Sequence, residues 1–407
     1  MTKIGFNYFL IILAGLTIIG CNSTGRVAAP LSTEPVPLNH IARGENTGNY
    51  WPTNGWKSCA PEAVGMDSQK LYEAMEYAAA PEFKTQGILV IKEGYIISEA
   101  YFPEANYGHF DKDTEHNSYS MAKSVTSALV GIAIDKGMLA NVDEKICRYY
   151  DDWDCSDTQD LRRKITLRHA LTLTSGLKWA EDWSKWDYKT NDTLKMAVSG
   201  HFYQYMSQRP GVYEPGTKAI YSTGDPMLLS RVFQEACGMT AFEFAQQNLF
   251  SPLNIQDIRW DMDEDGYTAT HGQLFTSARS FAKFGYLFLN KGRWEDRQIV
   301  SEQWVQQSTQ TDPSVNMWKY YGYLWHVNLP ARLAPANLAD NLTQKKGSVA
   351  PVKGIPADVY MAAGVLGQYI IVFPSNDLVI VRLANQQKDK LNLAKLITMV
   401  INAENEK

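Results

Sequence analysis

The sequence predicts an α+β fold, an antiparallel sheet flanked by helices, with an inserted all-α domain. Three observations predict it: β-hairpin patterns near both ends of the 407-residue chain, an amphipathic helix outside each hairpin, and a long Pro- and Gly-punctuated stretch of helical periodicity between them. With 45% apolar residues the chain can bury a large core, which excludes disordered, collagen-like and coiled-coil classes, and its length suggests two domains. The formal charge is −5 and the basic residues are scattered, so the basic stripe of a nucleic-acid binder is missing and no nucleic acid is expected as a partner. Of the 11 tryptophans most are expected to pack in cores, leaving a few to line a cleft.

The elements follow in order. Lys3 precedes an apolar run at 8–20 that is short for a bilayer span, so residues 1–20 read as a signal peptide. The run ends in Ile18-Ile19-Gly20-Cys21, which resembles a bacterial lipobox and implies lipidation of Cys21. The expected location is therefore the bacterial cell envelope, the chain exported and held to a membrane by its lipid anchor; an uncleaved anchor is the alternative, and it too leaves the body outside the cytoplasm. Cleavage removes Lys3 and no acid, taking the charge from −5 to −6. Residues 21–60, rich in Ser, Thr, Gly, Pro and Asn, read as a lipidated N-terminus and tether.

From 67 to 80, Leu71, Met75 and Ala78 recur at helical spacing behind Asp67, a capping residue. Strands follow at 87–91 and 95–101, separated by Lys92-Glu93-Gly94. A second hairpin, 368–373 and 378–383, turns at Pro374-Ser375-Asn376-Asp377 and precedes a helix at about 390–402. The two ends are expected to share one sheet, giving a sheet domain of 61–138 and 273–407 around a helical domain of 139–272, with helices at 227–237 and 241–249. A cleft where the two meet is the default site. Cys59, Cys147, Cys155 and Cys237 follow Cys21. In an exported chain Cys147 and Cys155 read either as a disulfide or as two buried thiols, and no spacing suggests a metal.

No serine sits in a Gly-x-Ser-x-Gly elbow, which leaves Ser-x-x-Lys, where a hydroxyl and an amine lie one helical turn apart. It occurs at Ser120–Lys123, Ser175–Lys178 and Ser280–Lys283. Ser175 lies beside Gly176 in a loop pattern, and Ser280 lies inside a helical stretch at 276–289 where the amides are already paired. Ser120 instead opens an almost wholly apolar helix running to Gly137, with Ser118 as a candidate cap. There the unpaired amide of Ser120 can stabilise an oxyanion, and burial at a helix N-terminus disfavours the Lys123 ammonium.

Three further segments carry a resemblance. Pro215-Gly216-Thr217-Lys218-Ala219-Ile220-Tyr221-Ser222, Leu171-Thr172-Leu173-Thr174-Ser175-Gly176-Leu177 and Gly272-Gln273-Leu274-Phe275-Thr276-Ser277-Ala278 resemble, in order and spacing, segments of the serine β-lactamase and penicillin-binding-protein superfamily. The branch most similar holds class C β-lactamases, esterases and 6-aminohexanoate-dimer hydrolases. The resemblance implies a β-lactamase/transpeptidase-like fold, Ser120 as acylated nucleophile, Lys123 as its base and Tyr221 as a second proton relay. It also implies Ala362-Ala363-Gly364-Val365 as the third signature strand, with the Val365 amide joining that of Ser120 in the oxyanion hole and Gly364 beside the substrate. Ala362 stands where that strand usually carries Lys, and Thr223 where antibiotic-hydrolysing members often carry Asn. Losing the cation removes a charge-assisted contact worth about 1.5 to 3 kcal/mol. Trp179, Glu181, Asp182, Trp186 and Asp187, on the loop after the Thr-Ser-Gly-Leu turn, are candidates for walling the cleft and attracting an amine-bearing substrate.

The expectation is a serine hydrolase needing no cofactor or metal, acting through an acyl-enzyme on a small carboxylic ester or short linear amide. A D-Ala-D-Ala peptidase or β-lactamase is the enzymatic alternative, and a non-catalytic peptidoglycan-binding envelope protein the alternative of another class.

Overall fold

The strand pairing that organises the molecule joins distant parts of the sequence. The computed structural model describes residues 41–42, 50–104, 108–181, 187–327, 355–385 and 391–405. The signal run, Cys21, nearly all of residues 22–49, Asp182 and Trp186 lie outside the described residues. β1 (Thr85–Lys92) and β2 (Tyr95–Tyr101) form the first hairpin. Glu93 and Gly94 at its tip have φ of 50° and 80°, the paired left-handed conformation that matches the twist of a two-residue turn. β3 (His116–Asn117), β4 (Ile258–Trp260) and β5 (Leu274–Thr276) make a small sheet in the order β3-β5-β4, and β6 (Arg293–Trp294) and β7 (Arg297–Gln298) a two-stranded ribbon. With β8 (His326–Val327), β9 (Tyr360–Gly364), β10 (Gln368–Phe373) and β11 (Leu378–Ala384) the main sheet is complete. Its order is β2-β1-β11-β10-β9-β8, antiparallel at every pairing.

Strand periodicity divides the core. On β11, Val379, Val381 and Leu383 enter one cluster while Leu378 and Ile380 enter the other, so both faces of the sheet are buried. α1 (Ser68–Ala79) covers the second face with Leu71, Ala74, Met75 and Ala78, and Asp67 Oδ1 caps it by accepting the Lys70 N–H at 2.9 Å. α2 (Ala122–Asp135) forms the centre of the other cluster. The helical region behind it comprises α3 (Leu167–Leu171), α4 (Asp192–Ser199), α5 (Phe202–Ser207), α6 (Gly224–Cys237) and α7 (Ala241–Ala245). α8 (Ala278–Leu289) lies across the sheet, approaching so closely that a Cβ on Gly285 would meet Ile370 and Val379 at 2.7 and 2.8 Å. α9 (Glu302–Ser308) packs on α2, and α10 (Leu393–Ile401) lies beside α1, capped by Asn392.

Three local expectations are corrected. The helical segment also holds strand β4, because Ile258 and Trp260 pair with β5. The helix expected over 241–249 changes to π geometry at Gln246–Phe250, and the one expected from 276 starts only after Ser277, whose hydroxyl accepts the Ser280 N–H at 3.2 Å. Cys147 and Cys155 are joined by a disulfide, with Cα atoms 5.5 Å apart. The described residues all fall in one compact unit.

Candidate active site

β3 ends at Asn117, and the chain turns sharply into a 3₁₀ turn, Tyr119–Met121, that runs straight on into α2. Tyr119 has a φ of 45°. This left-handed conformation costs a residue with a Cβ about 1 to 2 kcal/mol, and Asn117 Oδ1 secures it by accepting the Tyr119 N–H at 2.8 Å. Asn117, not Ser118, is therefore the side chain that holds the helix start. The Ser118 hydroxyl donates to the Tyr119 carbonyl at 3.1 Å and caps no amide. Ser120 stands half-buried on this turn, with α2 buried behind it from Ala122 to Ala133.

Lys123 is 1% exposed. Its Nζ lies 2.7 Å from Ser120 Oγ, 3.1 Å from the His271 carbonyl and 3.5 Å from Thr223 Oγ1. Burial pushes its amine down to about 8, against a smaller opposing pull from Glu181. Loop contacts with α2 fix this arrangement: the Thr126 hydroxyl donates to the Thr270 carbonyl at 2.7 Å, which places the neighbouring His271 carbonyl over Lys123. An unprotonated lysine has two N–H bonds and one lone pair. With the His271 and Thr223 oxygens taking the two hydrogens, the lone pair is left for the Ser120 proton.

Tyr221, far away in sequence, completes the group. Its ring centroid is 5.4 Å from Lys123 Nζ, and its phenol is hydrogen-bonded with Ser120. Burial first, and Glu181 second, hold the Tyr221 phenol well above its usual range, so it is protonated at neutral pH and acts as a hydrogen-bond donor. His326 is buried and His271 half-buried, and both imidazoles are pushed down to about 3, by desolvation and then by Lys123. Both are neutral beside the amine.

The opposite wall is the end of β9. A Cβ on Gly364 would stand 2.4 Å from the Ser118 carbonyl and 3.2 Å from the Ser120 amide nitrogen, so only glycine lets this strand close on the serine turn. Val365 follows in the turn to β10, where Leu366 and Gly367 have φ of 68° and 91°. Arg382 Nη1 and Gln368 Nε2 brace that turn through the Gly367 and Val365 carbonyls at 3.2 and 3.5 Å. Ala362 is fully buried on β9.

The other two Ser-x-x-Lys pairs are structural. The Ser175 hydroxyl donates to Asp225 Oδ1 at 2.8 Å while Lys178 is exposed. Burial pushes the Asp225 carboxyl up to about 7, with Ser175 and Ser222 restraining the rise. This buried acid pins together the two segments that bear Thr-Ser-Gly-Leu and Tyr221-Ser222. Ser280 Oγ donates to Asp257 at 2.6 Å, and the Lys283 amine donates to the carbonyls of Thr53, Leu253 and Asn254, leaving it no role as a base toward Ser280.

Sequence reasoning missed the partners of Lys123. The His271 carbonyl carries no side-chain signal at all. Thr223 was visible only as a departure from a motif, and Glu181 faces inward: its Oε1 accepts the Thr223 hydroxyl at 2.7 Å, and its Oε2 accepts the Thr223 amide at 2.7 Å and Trp179 Nε1 at 2.9 Å. Trp179 itself is 7% exposed, packed near Gly224, so it backs the reactive groups rather than facing a cleft. Among the described residues no group of three or more His, Cys, Asp or Glu side chains is placed to hold a metal.

Known proteins resemble this chain in sequence or in fold. An uncharacterised protein of Alkalihalophilus pseudofirmus is 24% identical over 342 residues, spanning 80% of this chain and 89% of its own. A protein of Salmonella agona named as a candidate D-alanyl-D-alanine carboxypeptidase is 20% identical over 68% of this chain and 77% of its own. The solved structure of a candidate 6-aminohexanoate-dimer hydrolase from Bacillus anthracis superposes with a TM-score of 0.62 at 16% identity, covering 81% of this chain and 80% of that one. The family model described as Beta-lactamase matches residues 78–399, from within α1 to within α10, and so takes in every strand of the main sheet and the whole Ser120 turn. By that match the chain belongs to the β-lactamase family.

Proposed function

We propose that the protein is a serine hydrolase working by acylation and deacylation, on a carboxylic ester or short linear amide. The observation that carries this is the 2.7 Å contact between Ser120 Oγ and an amine that is 1% exposed. An ammonium would be useless there, whereas a desolvated amine can take the serine proton. Ser120 Oγ bonds to the substrate carbonyl carbon as its proton passes to Lys123. The carbonyl oxygen becomes an oxyanion, for which the amides of Ser120 and Val365 are the donors. Collapse breaks the bond to the leaving alcohol or amine, which takes its proton from Lys123 by way of the Tyr221 phenol. Water then attacks the acyl-serine, its proton following the same route, and the acid leaves.

β9 reads Tyr360-Met361-Ala362-Ala363-Gly364 and offers no cation to a substrate carboxylate, which favours a neutral ester or amide over a β-lactam or a peptide C-terminus. The apolar run at 8–20 followed by Cys21 supports the envelope as the site of action, with the enzyme tethered to a membrane through lipid. Among the described residues no helix is long and apolar enough to cross a membrane.

The test is labelling by a fluorophosphonate, read by intact mass. Wild-type protein should gain one adduct and Ser120→Ala none while keeping its fold. Adduct on the alanine variant would place the nucleophile elsewhere. Trapping by a labelled penicillin at comparable speed would move the substrate class to β-lactams or D-Ala-D-Ala peptides.

A further inference from the structure

A hydroxyl group has one proton, and the structure shows where the proton of Thr223 goes. Thr223 Oγ1 lies 2.7 Å from Glu181 Oε1, a short bond to an acceptor-only carboxylate, and 3.5 Å from Lys123 Nζ. Spent on Glu181, that proton is unavailable to the amine, so toward Lys123 the Thr223 oxygen can only accept. The His271 carbonyl, 3.1 Å from the same nitrogen, is an acceptor by nature. Two acceptors thus take both hydrogens of the neutral amine, and its lone pair has one direction left, toward Ser120 Oγ at 2.7 Å.

We propose that Glu181 is a positioning residue for acylation: by fixing the polarity of the Thr223 hydroxyl it turns the lone pair of Lys123 onto the Ser120 proton. This rests on the serine-hydrolase reading above. Glu181 is itself rigidly held, since its Oε2 accepts both the Thr223 N–H and Trp179 Nε1. With three donors already on its two oxygens, the carboxylate is committed to this network rather than to a substrate amine. The same negative charge opposes the burial that lowers Lys123. The other titratable groups facing the amine are Tyr221 from the segment before α6, His271 from the loop before β5 and His326 on β8, all held neutral; Glu181 is thus the charged neighbour.

The experiment is the pH profile of the fluorophosphonate labelling rate for the full chain and for Glu181→Gln, Thr223→Ser and Thr223→Val, each checked for folding by thermal denaturation. In Glu181→Gln the amide can donate where the carboxylate accepted, letting Thr223 reverse and compete for the lone pair. The plateau rate should fall about tenfold, the worth of one hydrogen bond to a reacting group, and the inflection should move about one pH unit toward acid as the opposing charge is lost. Thr223→Ser, which keeps the hydroxyl, should retain the wild-type profile, and Thr223→Val should lose plateau rate like Glu181→Gln. A Glu181→Gln profile that superimposes on wild type overturns the proposal. So does a slow Glu181→Gln with an unmoved inflection together with a Thr223→Ser as slow as Thr223→Val, since that is loss of packing alone. Wild-type protein that takes no label refutes the nucleophile, and this inference with it, whereas normal wild-type labelling confines any failure to Glu181.

Discussion

Replacing Lys123 with Met should abolish labelling and, in the same variant, make the fold more resistant to unfolding at pH 7. The amine is fully buried on α2, and burial lowers it from 10.5 in the unfolded chain to about 8. Between those two values the unfolded chain binds a proton that the folded protein does not, so on this account the wild-type protein gains stability as pH rises from about 8 toward 10.5, and below 8 carries the full cost. At about 1.4 kcal/mol per pH unit that cost is about 3.5 kcal/mol, of which about 2.5 kcal/mol is relieved between pH 7 and pH 10. Met has no such proton. Its own penalty, the loss of hydrogen bonds to the His271 carbonyl and Ser120 Oγ, is about 1 to 3 kcal/mol and does not vary with pH. The assay is urea unfolding of both proteins at pH 7 and at pH 10. The stability of the Met variant relative to wild type should be about 2.5 kcal/mol more favourable at the lower pH, other titrating groups cancelling in the difference. A difference that is the same at both pH values would show that Lys123 keeps its charge in the folded protein even at pH 10, and the case for it as a base would fail.

Two further outcomes follow from the same geometry. Gly364→Ala brings a Cβ to 2.4 Å from the Ser118 carbonyl; by forcing β9 off the serine turn it should slow labelling by about a hundredfold while the melting transition stays cooperative, and a labelling rate within a few-fold of wild type would mean that the strand does not form the wall of the site. Replacing Cys147 and Cys155 together by Ser opens a small loop of sequence separation 8, which should cost about 2.5 kcal/mol in urea unfolding and leave the plateau labelling rate unchanged; a slower plateau would tie the disulfide to the site.

What the sequence made legible is what is local. The hairpins at 85–101 and 368–384 and the helices behind Asp67 and Asn392 depend on spacings of two to four residues, and they stand where periodicity put them, within a residue or three. Ser120 and Lys123 are legible for the same reason, one turn apart on a helix whose apolar faces announce burial. Tyr221 was reached only through a resemblance, because nothing near it in sequence says that it will stand beside Ser120. The remainder is tertiary. The amine's hydrogens go to a backbone carbonyl at 271 and a hydroxyl at 223, whose own partner is at 181, and no short-range pattern encodes those meetings. The left-handed Tyr119 was illegible too, since its cost is met by Asn117 and by the fit of β9. Residues 182–186, Asp182 and Trp186 among them, lie outside the described residues.

The pairing of β1 with β11 sets an order of events for the growing chain. Residues 85–92 leave the ribosome early, yet their neighbour at 378–384 is made almost last, so the inner strand of the first hairpin waits with one edge unsatisfied through most of synthesis. The Ser120 turn waits with it, because the strand that closes over it also comes late. A chain cut short anywhere before residue 360 lacks β9, β10 and β11, and with them the wall that Gly364 closes against the Ser120 turn.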